Sequence, residues 1–238
     1  MLQSPRPVII TGASSNHYKS MKQLVASIYS FYTPDEIDLV AWDLGLNGSE
    51  HIVCDIQFQT VLRKFNYAAY PDFYDINVAA GEYAWKAAAI KETVAEFGPR
   101  LYLWMDAGNT ITARIDDVFS HIQRDGIYSG TTGGTIRQWV HPKTFEALNK
   151  NPYMYRGLQM RNGAIIGFNY SKGYIQEWFK TWTSWCSQKH IIAPEGSDRS
   201  NHRQDQALLT LSYWDLHRKR RFNAVSEYYT IKCHQDIG

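Results

Sequence analysis

The sequence predicts an α/β protein: a single domain with a mixed, mostly parallel sheet flanked by helices. Three observations carry this. Apolar runs at 7–12, 37–42 and 101–105 have the length of short buried strands. Stripes at helical spacing lie between them, at 20–32 and 82–97. Strand and helix therefore alternate over the first ~110 residues, which calls for parallel strands with covering helices.

Each element has its own reason. Val8, Ile9 and Ile10 form the first strand, which breaks at Gly12 into a polar loop reaching Asn16 and His17. Met21, Leu24, Val25, Ile28 and Phe31 line one helical stripe, ended by Thr33 and Pro34. The strand 37–42 closes in a turn through Gly45 and Gly48, and 55–65 alternates weakly, as a strand running into irregular chain. Tyr83, Ala87, Ile90, Val94 and Phe97 form the next stripe, stopped by Gly98 and Pro99. In the second half, strands are expected at 127–130 and 163–168 and helices at 174–186 and 201–214. The Gly/Thr-rich stretch 130–135 lacks a phosphate-loop Lys and is expected to be a mobile loop near an acceptor. No repeat, low-complexity stretch or linker divides the chain.

Bulk properties exclude several classes. The net charge of +2 argues against a nucleic-acid partner held by phosphate neutralisation. The basic run 217–221 reads as a solvated helix end or an anion-facing edge. Cys54, Cys186 and Cys233 have no metal-type spacing, and their odd number fits a reducing compartment. No secretory leader or membrane-length apolar run is visible, so a soluble, cytoplasmic protein is expected, in a host cytoplasm if the source is viral. The opening Val8 to Ser15 imitates a short-chain dehydrogenase, and Tyr18 with Lys22 supplies that family's pair spacing. Both matches fail, because the dinucleotide turn needs further glycines where Asn16 and Tyr18 stand, and the pair comes several strands too early.

The most informative segment is Leu101 to Gly108. A buried strand ends in Asp106, and Gly108 leaves room for a ligand to approach the backbone. A carboxylate delivered to a sheet rim suggests a metal or polar ligand, with turn capping as the plainer alternative. Aromatic residues are abundant, with 8 Trp, 16 Tyr and 10 Phe, and Trp139 and 178–185 serve either as sugar-stacking platforms or as core.

Taken together, the first strand with its polar loop, 41–46, 82–86, Leu103 to Gly108, Arg161 to Phe168, Arg203-Gln204-Asp205-Gln206 and Ile231 to His234 resemble nucleotide-sugar glycosyltransferases of the GT-A fold. A narrower similarity runs to capsid-glycan glycosyltransferases of large algal viruses. The resemblance covers nearly the whole chain. It implies a nucleotide-binding half at 1–110 and a donor-sugar and acceptor half at 111–238. It further implies transfer of a hexosyl or pentosyl group from a nucleoside diphosphate sugar, with UDP the expected nucleotide, to a hydroxyl of a glycan or glycoprotein.

Residue by residue, Asp106 matches the first aspartate of the metal-binding Asp-x-Asp motif, and Gly108 stands where the second is absent. His234 falls where such enzymes recruit a late histidine, and carboxylate with imidazole suits Mn²⁺ better than Mg²⁺. Asp205 is the expected reactive carboxylate, with Asp198 a weaker competitor in a loop. Thr11, Ser14, Asn16, Asp43, Lys86 and Trp104 are expected at the nucleotide, and Arg161, Asn162, Gly163 and Gln206 at the donor sugar or acceptor. A non-catalytic nucleotide-sugar or glycan binding module is the alternative, favoured by Gly108. A sugar nucleotidyltransferase is disfavoured, because 12–19 holds one Gly where that class needs a Gly-rich basic loop.

Overall fold

Residues 5–50, 60–225 and 230–237 are described in the structure, a computed structural model. The first half runs β1 (Val8–Ala13), α1 (Tyr18–Tyr29), β2 (Asp38–Asp43), β3 (Val61–Lys64), three short 3₁₀ turns, α2 (Ala84–Phe97) and β4 (Leu101–Met105). The second half adds β5 (Thr110–Ile111), α3 (Asp116–Asp125), β6 (Ile127–Tyr128), β7 (Thr131–Thr135), α4 (Ile136–Trp139), α5 (Pro142–Ala147) and β8 (Gln159–Arg161). Then come β9 (Ile165–Asn169), α6 (Gly173–Cys186), α7 (Lys189–Ile192), α8 (Gln204–Arg220) and β10 (Ile231–Lys232). Of the expected strand at 55–65, the part 60–65 is described and contains β3; the rest, with Cys54, lies outside the described residues.

The main sheet has six strands in the order β3-β2-β1-β4-β9-β6. Neighbours from β3 to β4 are parallel, while β9 runs antiparallel to both β4 and β6. This is the mixed, mostly parallel sheet that the strand pattern predicted. Side-chain alternation splits the core in two. Val8, Ile10, Val40, Trp42, Tyr102, Trp104, Ile166 and Phe168 face α2, α6 and α8. Ile9, Leu39, Ala41, Leu103, Met105 and Ile165 face α1 and α3 on the other side. A Cβ on Gly167 would collide with Ile122 of α3, so this strand position admits only glycine at the present spacing.

Helix α8 is buried on all sides in its first half, from Gln204 through Tyr213 apart from Gln206, because it packs against α6, β8 and α2. Trp178 and Trp182 of α6 stack at 5.6 Å with a 7° interplanar angle inside this layer, so they are core, not sugar platforms. The basic run closes α8 with His217, Arg218, Lys219 and Arg220 in its last turn, where the helix dipole favours cations.

One expectation fails here. The stretch 130–135 is not a loop: Thr131–Thr135 is β7, paired antiparallel with β8. Gly134, at φ 91°, lies in the register shift of that pair, where a bulge needs a residue free to take positive φ. Among the described residues, no helix is long and apolar enough to cross a membrane.

Candidate functional site

The strand order reverses at β1: β2 and β3 extend to one side, β4 to the other. In open α/β sheets, the carboxyl ends of the strands at such a reversal flank a ligand crevice. Here that crevice is a cleft of about 290 Å³. Gly12, Ala13 and Ser14 line it from the end of β1, and Asp106, Ala107, Gly108 and Asn109 from the end of β4. Gly12 permits a close crossing with β2, since a Cβ there would stand 3.0 Å from Trp42 Cβ.

Lys86 is the centre of the site. It sits in the first turn of α2, 3% exposed, with Nζ 3.0 Å from Asp106 Oδ1 and 3.0 Å from Asp205 Oδ2. It also donates to the Gly163 carbonyl at 3.2 Å. Burial opposes the charge on this ammonium, but the two carboxylates outweigh it and hold its pKa above the ordinary lysine value. Burial pushes the Asp205 carboxyl up, and the lysine beside it pulls the other way. Asp205 Oδ2 is ion-paired with Lys86 without the alignment of a hydrogen bond.

Asp106 faces the cleft with its side chain 40% exposed. Its Oδ1 is taken by Lys86 and by Trp104 Nε1, which donates at 2.6 Å. Oδ2 carries no hydrogen bond or ion pair among the described residues. The backbone of the turn is held to β9 by Asp106 N to Ala164 O at 2.9 Å and Asn109 Nδ2 to Ala164 O at 2.8 Å. The carboxylate is thus fixed at its base and open at its tip.

Not every sequence candidate reaches this cleft. Ser14, Lys86, Asp106 and His234 line it. Asp205 is 5% exposed and lies behind Lys86, one side chain deeper than a group meeting substrate directly. Trp104 is fully buried, with Lys86 over its ring at 5.7 Å, and orients Asp106. Thr11 is buried, Asn16 is exposed beside Ser14, and Asp43 caps its own turn by accepting from Gly45 N and Leu46 N. Gly163 packs against Gln206, with Gln206 Cβ 3.1 Å from where a Gly163 Cβ would stand. Asn162 lines a neighbouring cleft of about 270 Å³ that shares His234 with the first.

Arg161 does not enter either cleft. Its guanidinium is buried against the carbonyls of Ser129 and Val225 and over the Tyr213 ring at 4.3 Å, and that burial lowers its pKa. Asp198 instead caps its loop by accepting from Ser200 N and Oγ.

Four cleft residues escaped the sequence reading. His17 and Asp236 meet at 3.4 Å across its mouth. Tyr83, at φ 57°, enters from the turn before α2. Arg199 comes from the loop before α8, donating to Tyr83 Oη at 2.9 Å, and has no carboxylate partner among the described residues. Its loop gave no periodicity to mark it, and it is followed by His202, whose side chain ties 202 to 141 and 192. That imidazole is fully buried, donating from Nε2 to Ile192 O at 2.9 Å and accepting at Nδ1 from His141 N at 3.2 Å.

Burial depresses the His202 pKa to about 4. Between that value and the ordinary 6.5 the unfolded chain binds the proton that the folded chain refuses. Stability from this residue is therefore full above pH 6.5 and is lost as pH falls toward 4, by on the order of 3 kcal/mol in all. Urea midpoints measured from pH 7 to 4 should fall in wild type and flatten in His202→Gln; equal slopes would refute the assignment.

Asp106 Oδ2 and the His234 imidazole face one cleft without hydrogen-bonding partners among the described residues, so this donor set fits a divalent cation. Among the described residues, no three His, Cys, Asp or Glu side chains form a ready-made cage.

The galactosyltransferase LgtC, solved in complex with donor and acceptor sugar analogs, superposes with a TM-score of 0.58 at 14% identity, over 95% of this chain and 86% of LgtC. Mouse xyloside xylosyltransferase 1 in its apo form matches with a TM-score of 0.53 at 10% identity, over 99% of this chain and 100% of that one. The fold is that of the GT-A glycosyltransferases. The GT-A glycosyltransferase GlyE of Streptococcus pneumoniae TIGR4 also aligns, with a TM-score of 0.52 at 9% identity, over 94% of this chain and 45% of that one. A family model described as protein of unknown function (DUF1647) matches residues 2–91. No curated protein sequence matches the chain.

Proposed function

We propose that this GT-A protein is a glycosyltransferase that moves a sugar from a nucleoside diphosphate, UDP in the first instance, to a hydroxyl of a glycan or glycoprotein. The observation that carries the reading is the buried ammonium of Lys86, held between Asp106 at the cleft and Asp205 behind it. A site that breaks a sugar–diphosphate bond must meet negative charge developing on the leaving group. Lys86 and Arg199 present two cations to the cleft, one fixed by two carboxylates and the other borne on a loop.

Asp106 and His234 are the residues that would hold a divalent ion, Mn²⁺ before Mg²⁺, and that ion supplies further neutralisation of the diphosphate. Asp205 acts through Lys86 as a positioning residue: it keeps the ammonium charged and aimed between Asp106 and the Gly163 carbonyl. Ser14, at the end of β1, faces the nucleotide side of the cleft. Gly163 and Gln206 border the donor sugar. A glutamine is also the residue changed in an active-site mutant of LgtC, whose structure matches at 13% identity with a TM-score of 0.51, over 85% of this chain and 68% of that one. The second cleft, beyond His234, is the acceptor side.

Asp106→Ala tests the metal side of this reading. Calorimetric titration with UDP in Mn²⁺ should show binding to wild type and a loss of at least about tenfold in the variant. Unchanged UDP affinity would remove Asp106 from the diphosphate site.

A further inference from the structure

The basic run that closes α8 takes no part in the nucleotide cleft. Its Lys219 and Arg220 instead line a cavity of about 470 Å³ between α6 and α8. The base of this cavity is fixed, since buried Trp178 donates from Nε1 to Ser212 Oγ at 3.1 Å. Lys150 lines it too, and also lines a second cavity of about 670 Å³ framed by α4, α5 and the 3₁₀ turn Pro152–Tyr155. The two cavities thus meet at one side chain. Neither shares a lining residue with the Lys86 cleft or with the second cleft beyond His234.

Most of the positive charge along this groove is left open. Arg137, Arg156 and Lys219 have no carboxylate partner among the described residues. Arg220 lies over the Tyr174 ring at 4.6 Å, which holds the guanidinium in place without neutralising it. Lys150 is the exception, 2.7 Å from Asp215 Oδ2. Glu146, Glu177 and Asp215 are the carboxylates of the two linings, so cations remain in excess.

Aromatic surface stands beside those charges. Tyr153 is 80% exposed, yet its turn is rigid. Asn151 Oδ1 accepts from Tyr153 N at 3.0 Å, and Arg218 Nη2 donates to Met154 O at 2.7 Å. A ring held open to water by a fixed turn is a recognition feature. Trp185, half-buried, lines the smaller cavity.

We propose that this groove binds an oligosaccharide bearing anionic groups, carboxylate or sulfate. Tyr153 and Trp185 offer faces for the apolar side of a sugar ring, and the forks of Arg137, Arg156 and Arg220 match such anions in pairs of hydrogen bonds. Both cavities fall within the ~300–1,000 Å³ of small-ligand sites, which suits saccharide units. The net charge of +2 over the whole chain favours a short anionic saccharide over nucleic acid. Strand β7 links the groove to the second cleft: Gly130 and Thr132 line that cleft, and Ile136 and Arg137, just past the strand, line the larger cavity. The groove therefore holds the far part of an extended acceptor, roughly 17 Å along β7 from the second cleft. That last step rests on reading the second cleft as the acceptor side.

The test is calorimetric titration with hexagalacturonate, sulfated maltohexaose, neutral maltohexaose and hexaglutamate. Wild type should bind at least one anionic saccharide and bind neutral maltohexaose more weakly; which anionic probe binds names the group. Arg156→Ala combined with Arg220→Ala should weaken that binding by about tenfold or more, the loss of two charge-assisted contacts. Tyr153→Ala should weaken it a few-fold. All three side chains are solvent-facing and outside the Lys86 cleft, so UDP affinity should stay at the wild-type value. No binding of either anionic saccharide, or unchanged affinity in both variants, overturns the proposal. Equal affinity for hexaglutamate also overturns it and assigns the groove to an acidic peptide. Failure of the nucleotide-sugar reading shows differently: saccharide binding that needs Arg156 and Arg220, with no nucleoside diphosphate bound or released.

Discussion

Lys86→Met should destabilise the protein by about 3–5 kcal/mol, because removing one partner of a buried ion pair leaves the other charge stranded. Asp205 is 5% exposed, and Lys86 is the cation 3.0 Å from its carboxylate. Methionine fills most of the lysine volume, so the loss reports charge more than packing. The companion double variant, Lys86→Met with Asp205→Leu, should recover most of the loss, since apolar replacements of a whole buried pair are often neutral. Urea unfolding of the two variants makes the comparison. A single-variant cost below about 1 kcal/mol, the range of exposed pairs, would mean that the bridge contributes little to the fold.

The second large effect falls on turnover. Asp205→Asn keeps the shape of the side chain and removes its charge, so Lys86 retains only Asp106 as an anionic partner. The ammonium then shifts toward the cleft carboxylate and away from its bridging position. We expect kcat to fall by on the order of 10²–10⁴, the range for a lost proton-handling or charge-positioning group, with KM for the donor changed less than about threefold. Separate measurement of kcat and KM, with the melting temperature as a folding control, decides this. Equal losses in KM, or unchanged kcat, would place Asp205 outside the reaction.

The central sheet was legible because its strands are short apolar runs with breakers at both ends, and because α1 and α2 carry helical stripes. Asp106 stood out for the same reason: a charge at the end of a buried run is conspicuous. The helix Asp116–Asp125 could have been read from acidic residues in its first turn, the Val118, Phe119 and Ile122 stripe and Gly126 at its end. β7 could not, since its Thr and Gly residues become a strand only by pairing with β8.

The site was legible in its charged residues and opaque in their depth. Sequence order put Lys86, Asp106 and Asp205 on separate elements without showing that one ammonium bridges both carboxylates. Arg161 was expected at the donor sugar or acceptor from the resemblance of its segment alone; in the structure carbonyls and aromatic faces hold its guanidinium.

Turnover of nucleotide sugars tests the account most directly. Purified protein is incubated with a panel of UDP-, GDP- and other nucleoside diphosphate sugars in Mn²⁺, and release of free nucleoside diphosphate is followed with and without glycan acceptors. The account predicts release from at least one donor, lost on chelation of the metal and strongly reduced in Asp205→Asn. Donors that bind and raise the melting temperature yet release no diphosphate under any condition would contradict it, and would make the protein a nucleotide-sugar binding module.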